Sequence, residues 1–382
     1  MKILFLSELF YPHGGGAELA NYLYAKLLVN EDIEVDVVTN RFSGEDEITK
    51  DGKLTVYRLP LLKNDASAKY LISLRVNALL SDLIRRLIKS ADVVYIPRFW
   101  FSAIPLVKAY GKPVICHLHD YIPRCPLAIV YNLSEKKICD RKNSLCSPKC
   151  VYSYEKIHGG SFGKVLSSTV LNCTIGNYFG KLAHFSDAII CVSKKQRELI
   201  VENSRSIAKK TYVVYNPLPE VSDIPLEGDD FGYFGGPNYL KGFNVLYRSM
   251  KDLKRKKKFN IFPYAKLDRN DFAEVYKKVR TVLLPSVWHE PWPYVVVEAL
   301  LKGRFVIASE VGGIPEQVKG CKGVMLFPAG DQKELADDVQ IVSNMKREQI
   351  ADFGFQNREV FLKRRDTENA CKKFTALLSS LN

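Results

Sequence analysis

Two carboxylates eight positions apart are the side chains best suited to chemistry in this sequence. The segment SVWHEPWPYVVVEALLKG, residues 286–303, places Glu290 in a loop of aromatic residues and prolines and Glu298 just inside the helix that follows. Carboxylates accept hydrogen bonds from hydroxyl groups, and the first N–H groups of a helix, here those of Tyr294 and Val295, attract anions. The segment therefore predicts a binding site for a ligand that carries both hydroxyl groups and negative charge.

Length, composition and charge limit the kinds of protein this sequence can be. The chain has 382 residues, of which 47% are hydrophobic and 26% charged, which is enough for two domains with full cores. Its net charge of +14 favours anionic partners, namely nucleotides, nucleic acid or an acidic membrane face. The opening MKILFLSELFYP is typical of a first buried strand rather than a signal peptide, and no apolar stretch is long enough to span a membrane. These features predict a cytoplasmic protein.

Two series of strands that alternate with amphipathic helices predict two α/β domains. Short segments such as KILFLSE, DVVYIP and TYVVYN are separated by helical patterns, which is typical of parallel sheets with helices on both faces. A segment rich in proline and acid between the two series predicts a linker. The predicted boundaries are an N-terminal Rossmann-like domain at 1–216 with a cysteine-bearing insert at 121–160, a linker at 217–230, a C-terminal Rossmann-like domain at 231–357, and a C-terminal helix at 358–382 that packs back on the N-terminal domain.

A glycine-rich turn follows the first predicted strand. In PHGGGAE, Gly15 and Gly16 would let the backbone approach a phosphate at the start of a helix. The dinucleotide-binding pattern G-x-G-x-x-G is absent, and a tight strand-to-helix turn is the better explanation of these glycines when they are taken alone.

The order of the motifs along the chain is more informative than any one of them alone. The glycine turn is followed by the pair His119-Asp120, the pair Lys241-Gly242, Glu290 with Glu298, and GGIPE at 312–316. In this order the sequence resembles the retaining glycosyltransferases of the group 1 family with the GT-B fold, most specifically in HEPWPYVVVEALLKGRFVIASEVGGIPE. The resemblance spans nearly the whole chain. It implies two doubly wound, Rossmann-like α/β domains that face each other across a cleft, with the acceptor on the N-terminal side and the donor on the C-terminal side.

The resemblance also implies how the candidate residues bind a nucleoside-diphosphate sugar. Glu290 would hold hydroxyl groups of the donor sugar, Glu298 the ribose hydroxyls, and the N–H groups of Tyr294 and Val295 the diphosphate. Lys241 would stabilise the charge of the departing phosphate. The arginine that the family places a few residues before this lysine has no counterpart in FGGPNYLKG.

His119 is the candidate that the N-terminal domain supplies. It resembles the family's histidine that reaches the donor sugar, and with Glu290 it forms the predicted catalytic pair. His117 lies one step deeper in the same strand and is predicted to be structural. Because the family's chemistry is assisted by the leaving phosphate itself, the resemblance implies that catalysis needs no metal or other cofactor.

Four cysteines fall within the predicted insert, at Cys125, Cys139, Cys146 and Cys150. Four thiolates can hold a structural zinc ion whose binding would order the segment. Their spacing is not that of a standard zinc ribbon, so two disulfides or unliganded thiols stay open as alternatives.

The sequence therefore predicts a retaining, metal-independent glycosyltransferase that moves a hexose from a nucleoside-diphosphate sugar to a glycan, lipid-linked or small-molecule acceptor. Two alternatives stay open: a sugar-nucleotide 2-epimerase of the same architecture, and a non-enzymatic basic protein that binds nucleic acid through a four-cysteine metal module. No nucleic-acid-binding module is recognisable, so nucleic acid is not a predicted partner. The amphipathic segment 69–90 and the basic run 251–258 are most simply helix surfaces, and their alternative is peripheral contact with an anionic membrane.

Overall fold

The chain divides into two compact units. In the computed structural model the described residues are 1–61, 81–140, 147–159, 161–202, 204–221, 224–252, 259–261 and 269–381. Unit 1 comprises Met1–Pro217 and Glu368–Asn382, and unit 2 comprises Leu218–Thr367. Most of the predicted membrane-contact segments, at 69–80 and 253–258, and the cysteine at 146 lie outside the described residues.

Unit 1 contains an eight-stranded sheet in the order β10-β9-β6-β5-β1-β2-β4-β3, and its neighbouring strands are parallel except for the antiparallel pair β3 and β4. The strands of unit 1, including a separate small pair β7 and β8, are β1 Lys2–Leu6, β2 Glu34–Asn40, β3 Ile48–Asp51, β4 Leu54–Leu59, β5 Val93–Ile96, β6 Val114–Leu118, β7 Tyr131–Asn132, β8 Lys137–Ile138, β9 Ala188–Cys191 and β10 Thr211–Val213. The described α-helices of the unit are Gly16–Asn30, Asp82–Ser90, Ile104–Ala109, Pro148–His158, Phe162–Leu171, Asn177–Leu182, Lys194–Val201 and Asp366–Leu381.

The central strands of unit 1 are buried along their whole length. All residues of β5, β6 and β9 are buried, as expected for a parallel sheet that helices cover on both faces. Their continuous apolar sequences, VVYI in β5 and AIIC in β9, follow from this double burial because neither face meets solvent. The carboxyl ends of these strands lie at one edge of the sheet, where the residues that follow each strand can meet.

The C-terminal helix Asp366–Leu381 belongs to the core of unit 1. Its apolar side contributes Ala370, Phe374, Leu377 and Leu378 to the same buried cluster as Ile3, Phe5 and Tyr95. The ring of Phe374 lies 5.2 Å from that of Tyr24 and 5.5 Å from that of Tyr95. The end of the chain is therefore part of the first unit's packing.

Unit 2 contains a five-stranded, fully parallel sheet in the order β12-β11-β13-β14-β15. Its strands are β11 Asp230–Tyr233, β12 Phe259–Ile261, β13 Val279–Leu284, β14 Phe305–Ser309 and β15 Val324–Phe327. Its described helices are Phe243–Asp252, Arg269–Lys278, Tyr294–Leu301, Ile314–Gln317, Gln332–Asn344 and Arg347–Lys363.

The helix Arg347–Lys363 packs within unit 2. It buries Ile350 and Phe361, and its Phe353 ring meets Phe305 of β14 edge-on at 5.9 Å. The chain consequently returns to unit 1 at Glu368, after this helix, and not at the predicted residue 358.

The segment that leads into unit 2 is tied to its sheet by a buried arginine. The Arg304 guanidinium, just before β14, donates to the carbonyl oxygens of Ile224 and Pro225 in the predicted linker and to that of Tyr276. Burial lowers the pKa of Arg304 to about 10, yet the group stays protonated at neutral pH. A charged side chain thus satisfies backbone groups of a segment that lacks strand or helix partners.

We expect Phe374→Ala to destabilise unit 1. Removing a buried phenyl group loses its transfer free energy and leaves a cavity, which together cost about 3–5 kcal/mol. Thermal unfolding followed by circular dichroism measures the loss, and Ser379→Ala, on the exposed side of the same helix, is the control that should melt like wild type. Equal melting temperatures for Phe374→Ala and wild type would show that the helix is dispensable for the unit.

Candidate functional site

The carboxylate of Glu290 is buried and surrounded by side-chain donors. Glu290 lies in the loop between β13 and the helix Tyr294–Leu301, and its side chain is 3% exposed. Its Oε1 accepts from Ser286 Oγ at 2.6 Å and from Trp288 Nε1 at 2.9 Å. The ammonium of Lys241 bonds both oxygens, at 2.8 Å to Oε1 and 3.0 Å to Oε2. A buried carboxylate is thus held by an opposite charge and two neutral donors, as burial of an ion requires.

The turn after β11 places Lys241 against this carboxylate. Asn238 Oδ1 accepts from the backbone N–H groups of Leu240 and Lys241, which shapes the turn. Gly242 then adopts φ +79°, and a Cβ there would lie 1.6 Å from the carbonyl oxygen of Pro285. Only glycine fits this position, so the Lys-Gly pair lets the turn approach the Glu290 loop closely.

The GGIPE segment packs on the backbone of Glu290 from the other side. Gly313 N donates to the Glu290 carbonyl at 2.7 Å, and Gly312 N donates to His289 Nδ1 at 3.2 Å. Gly312 has φ +56°, and a Cβ there would lie 2.1 Å from the same carbonyl oxygen. The glycines of this motif therefore position the Glu290 loop.

The helix that carries Glu298 begins without a side-chain cap. Pro293 is its N-cap residue, and neither a capping hydrogen bond from a side chain nor an acidic residue occurs in the first turn. Tyr294 and Val295 open the helix, and Glu298 follows one turn later and is half-buried. Because residues three and four apart share a helix face, Glu298 lies on the same side as Val295 and Tyr294.

Within unit 2 the structure thus brings Lys241 and Glu290 into contact and places Tyr294, Val295 and Glu298 on the helix that the Glu290 loop enters. Sequence reasoning missed the three residues that orient Glu290 and its loop: Ser286, Trp288 and His289. They stand within the quoted segment, but nothing in their spacing indicates which of them faces the carboxylate.

In unit 1 the glycine turn is closed by an acid. Gly14 has φ +100°, and the backbone N–H of Gly15 donates to Glu18 Oε2 at 2.7 Å. Gly16 begins the helix Gly16–Asn30. The Glu18 carboxylate therefore accepts the hydrogen bond of the first backbone N–H group in this turn.

His119 and His117 lie at the carboxyl end of β6 with their rings stacked 4.5 Å apart. His119 Nε2 lies 3.2 Å from Asn21 Oδ1, and Tyr95 Oη contacts both Asn21 Oδ1 at 3.3 Å and His117 Nδ1 at 2.6 Å. The distances fit a relay in which His117 donates to Tyr95, and Tyr95 and His119 both donate to Asn21. Burial, reinforced by the charge of Arg98, lowers the pKa of His119, so its ring is neutral at physiological pH.

A charged cluster that sequence reasoning missed lies beside these histidines. Arg98, just after β5, bonds Glu18 Oε1 at 2.6 Å through Nη1, while its Nε lies 3.6 Å from Glu8 and 3.7 Å from Asp120. Each of these residues follows a parallel strand or opens the first helix, which explains why they meet at one sheet edge. The position after a strand is the signal that the sequence offers for Glu8, Arg98 and Asp120, whereas Glu18 lies in the first helix.

The pKa values of two acids in this cluster are shifted in opposite directions. Burial would raise the pKa of Glu18, but the charge of Arg98 and the hydrogen bond from Gly15 N lower it below the ordinary value. Burial raises the pKa of Glu8 to about 7, against the opposing effect of Arg98, and neither of its oxygens has a hydrogen-bond partner.

The cysteine-bearing insert contains more regular structure than the sequence indicates. The β7–β8 pair and the helix Pro148–His158 lie within it, and Cys150 Sγ accepts from Leu133 N at 3.4 Å. The described cysteines of the predicted set are Cys125, Cys139 and Cys150. No group of three or more potential ligands for a metal ion occurs among the described residues, and because Cys146 lies outside them the zinc site stays a prediction.

Comparison with known proteins agrees with the fold. Residues 14–220 match the model of Glycosyltransferase Family 4, and residues 247–344 match that of Glycosyl transferases group 1. The chain therefore belongs to glycosyltransferase family 4. The prediction of a group 1 glycosyltransferase is confirmed.

Relatives and solved structures are similar along most of the chain. An uncharacterized 42.6 kDa protein in the cps region of Klebsiella pneumoniae is 24% identical over 344 residues, 83% of this chain and 87% of that protein. Sucrose-phosphate synthase from Thermosynechococcus elongatus matches 100% of this chain and 98% of its own with a TM-score of 0.68 at 15% identity. HepE from Anabaena, solved in complex with UDP and glucose, matches 100% of both chains with a TM-score of 0.62 at 19% identity. These likenesses confirm the GT-B fold.

We expect Glu8→Gln to stabilise the protein increasingly as the pH rises from about 4.5 to 8. The folded-state pKa of Glu8, about 7, lies above the ordinary 4.5 of an unfolded chain. The carboxyl thus releases its proton less readily in the folded protein, and stability is lost as the pH rises through this window. This difference in pKa lowers the free energy of unfolding of wild type by roughly 3 kcal/mol at pH 8.

The measurement is the melting temperature of both proteins at several pH values. Glu34→Gln, which changes an exposed acid of the same unit, is the matched control and should follow wild type throughout. If Glu8→Gln changes the melting temperature equally at pH 4.5 and pH 8, the pKa of Glu8 is not raised in the folded protein.

Proposed function

We propose that this glycosyltransferase moves a hexose from a nucleoside-diphosphate sugar to a glycan, lipid-linked or small-molecule acceptor, with retention of the anomeric configuration and without a catalytic metal ion. The observation that carries the proposal is the buried Glu290–Lys241 pair, which lies in the loop that leads into an uncapped helix N-terminus. Hydroxyl-binding, cationic and anion-binding groups occur together there within one unit.

The bonding of Glu290 leaves capacity for a sugar hydroxyl. Oε1 accepts from Ser286, Trp288 and Lys241, whereas among the described residues Oε2 accepts from Lys241 alone. Oε1 shares its two lone pairs among three donors, whereas Oε2 uses one of its two for Lys241 and can take one more donor. A hydroxyl group of the donor sugar fits this requirement.

Lys241 supplies the positive charge that the leaving group needs. Its side chain is 35% exposed, and an ammonium group has three N–H donors, so it can bond a phosphate while it keeps contact with Glu290. Its Nζ also lies 5.4 Å from the centre of the Trp288 ring, within the range of a cation–π contact. Stabilisation of a departing diphosphate by this cation is the reason for proposing metal-independent chemistry.

The helix Tyr294–Leu301 suits the nucleotide part of the donor. Its first turn has no side-chain cap and carries the positive end of the helix dipole, which favours a diphosphate. Glu298 lies about 6 Å further along the helix axis than Tyr294, four residues at the rise of an α-helix. This offset is suitable for a carboxylate that binds ribose hydroxyls while the diphosphate lies at the helix start.

Structural neighbours suggest the first donor to test. HepE was solved in complexes with UDP-glucose and with UDP and glucose, and a trehalose-6-phosphate protein from E. coli was solved with UDP-2-fluoro glucose. UDP-glucose is therefore the first donor to try, beside GDP- and ADP-sugars. A thermal-shift screen identifies the donor, and NMR of the transferred sugar gives the anomeric configuration. Inverted product would contradict retention, and conversion of the donor without any acceptor would favour an epimerase.

We expect the two acids to differ in their effects. Glu298→Gln weakens hydrogen bonds to ribose and should reduce nucleoside-diphosphate affinity by about 1.5–3 kcal/mol, or roughly 10- to 150-fold. Glu290→Gln should mainly lower kcat, because its proposed contact is with the reacting sugar. Calorimetric titration and steady-state kinetics measure the two effects, with the exposed Glu310→Gln as the control. Equal nucleoside-diphosphate affinity in Glu298→Gln and wild type would remove the ribose assignment.

A further inference from the structure

Unit 1 carries an exposed row of large apolar side chains that the proposed reaction does not use. It runs along the helical region 162–185 and consists of Phe162, Leu166, Val170, Leu171, Tyr178 and Phe185, referred to below as the apolar stripe. Phe162, Tyr178 and Phe185 are 72%, 63% and 66% exposed. Isolated exposed apolar residues are common, but six of them along one helical region are characteristic of an interaction surface.

The opposite side of the same region is fixed to the unit. Val165, Thr169 and Asn172, three or four residues apart, are buried, and Asn172 Nδ2 donates to Glu155 Oε1 at 2.7 Å. Residues at this spacing share one face of a helix. Because this face is anchored, the apolar stripe is the outward face and cannot turn inward without unpacking the helix.

The charged residues within the sequence of the apolar stripe are all of one sign. Between residues 156 and 186 the sequence contains no Asp or Glu. Lys156, Lys164 and Lys181 are exposed there. Glu155, just outside this range, is half-buried and accepts from Asn172. Among the residues from 161 to 185 whose exposure the structure describes, the exposed ones are thus apolar, small and polar, or lysine.

We propose that the apolar stripe binds the surface of an anionic lipid bilayer. Apolar and aromatic side chains with lysines at their margin are the composition of helices that lie in the plane of a membrane interface, with the lysines near lipid phosphates. No helix among the described residues is long and apolar enough to cross a membrane. A second copy of the chain fits less well, because a symmetric contact would bring lysines against lysines.

This surface differs from the two basic segments that the sequence suggested for membrane contact. It also does not depend on the proposed reaction, since its evidence comes from exposure and charge alone. Failure of membrane binding would leave the donor site unaffected, and failure of sugar transfer would leave this surface unaffected.

Cosedimentation of the full chain with vesicles tests the proposal. We expect wild type to bind vesicles of phosphatidylcholine with phosphatidylglycerol and to bind pure phosphatidylcholine at least roughly tenfold more weakly. The triple variant Phe162→Ser, Leu166→Ser, Val170→Ser should lose at least about tenfold in partitioning into the anionic vesicles. Lys164→Glu with Lys181→Glu should weaken the same binding and reduce its dependence on salt.

Matched controls come from unit 2. Phe355, Leu362 and Ile341 are 66%, 52% and 49% exposed, and the triple variant Phe355→Ser, Leu362→Ser, Ile341→Ser removes similar apolar side chains. Lys322→Glu with Lys333→Glu makes the same change in net charge. Both should bind anionic vesicles like wild type, and circular dichroism melting confirms that every variant is folded.

Several outcomes would overturn the proposal. They are an absence of wild-type binding, equal binding to both vesicle types, or equal loss in the stripe and control variants. Self-association that the triple variant abolishes, without vesicle binding, would assign the apolar stripe to a second copy instead, and sedimentation velocity measures it.

Discussion

The pairing of the Glu290 carboxylate is the interaction on which the site of unit 2 depends. An almost fully buried carboxylate is stable only when donors and an opposite charge surround it. Meeting that need joins the turn after β11, which carries Lys241, to the loop after β13, which carries Ser286 and Trp288. The GGIPE segment adds two backbone hydrogen bonds to the same loop. Three separate stretches of sequence are thus held around one side chain.

The buried carboxylates around Arg98 in unit 1 are paired less completely than Glu290 is in unit 2. Arg98 lies near three carboxylates, and only Glu18 receives a hydrogen bond from it. Glu8 is left buried without a hydrogen-bond partner, and burial raises its pKa toward neutrality. Natural proteins tolerate such groups mainly where they serve a function. Glu8, His119 and Asn21 lie together at one edge of the sheet, where the protein keeps buried polar groups at a cost in stability.

The sequence predicts the parts of the fold that arise from periodicity. Parallel sheets, the division near residue 216 and the Glu290 loop before a helix all follow from apolar runs, glycines and prolines. The antiparallel edge strand β3 and the β7–β8 pair were not predicted, because strands of four and two residues are too short to show a pattern. The Arg98 cluster was missed for another reason. Its members lie far apart in sequence, and only the order of strands in the sheet brings them together.

The roles of single residues were predictable only through family resemblance. Spacing placed Glu290 and Lys241 on their loops but did not indicate that they touch, because Gly242 and its close approach to Pro285 determine that contact. Which apolar residues are exposed likewise depends on how the unit folds and cannot be read from the sequence. The residues of the apolar stripe look like core positions in the sequence until Val165 and Thr169 are seen to occupy the inner face.

The proposed donor site depends most on the lysine paired with Glu290, to which we assign the diphosphate of the donor. The direct test compares Lys241→Gln with wild type in calorimetric titrations of UDP, GDP and ADP and of the matching nucleosides. Glutamine keeps an N–H donor for Glu290 but removes the charge. We expect at least a roughly tenfold loss of affinity for the nucleoside diphosphate that binds wild type, with nucleoside affinity unchanged and a melting temperature that shows an intact fold. Unchanged diphosphate affinity, or equal losses for the diphosphate and its nucleoside, would contradict it.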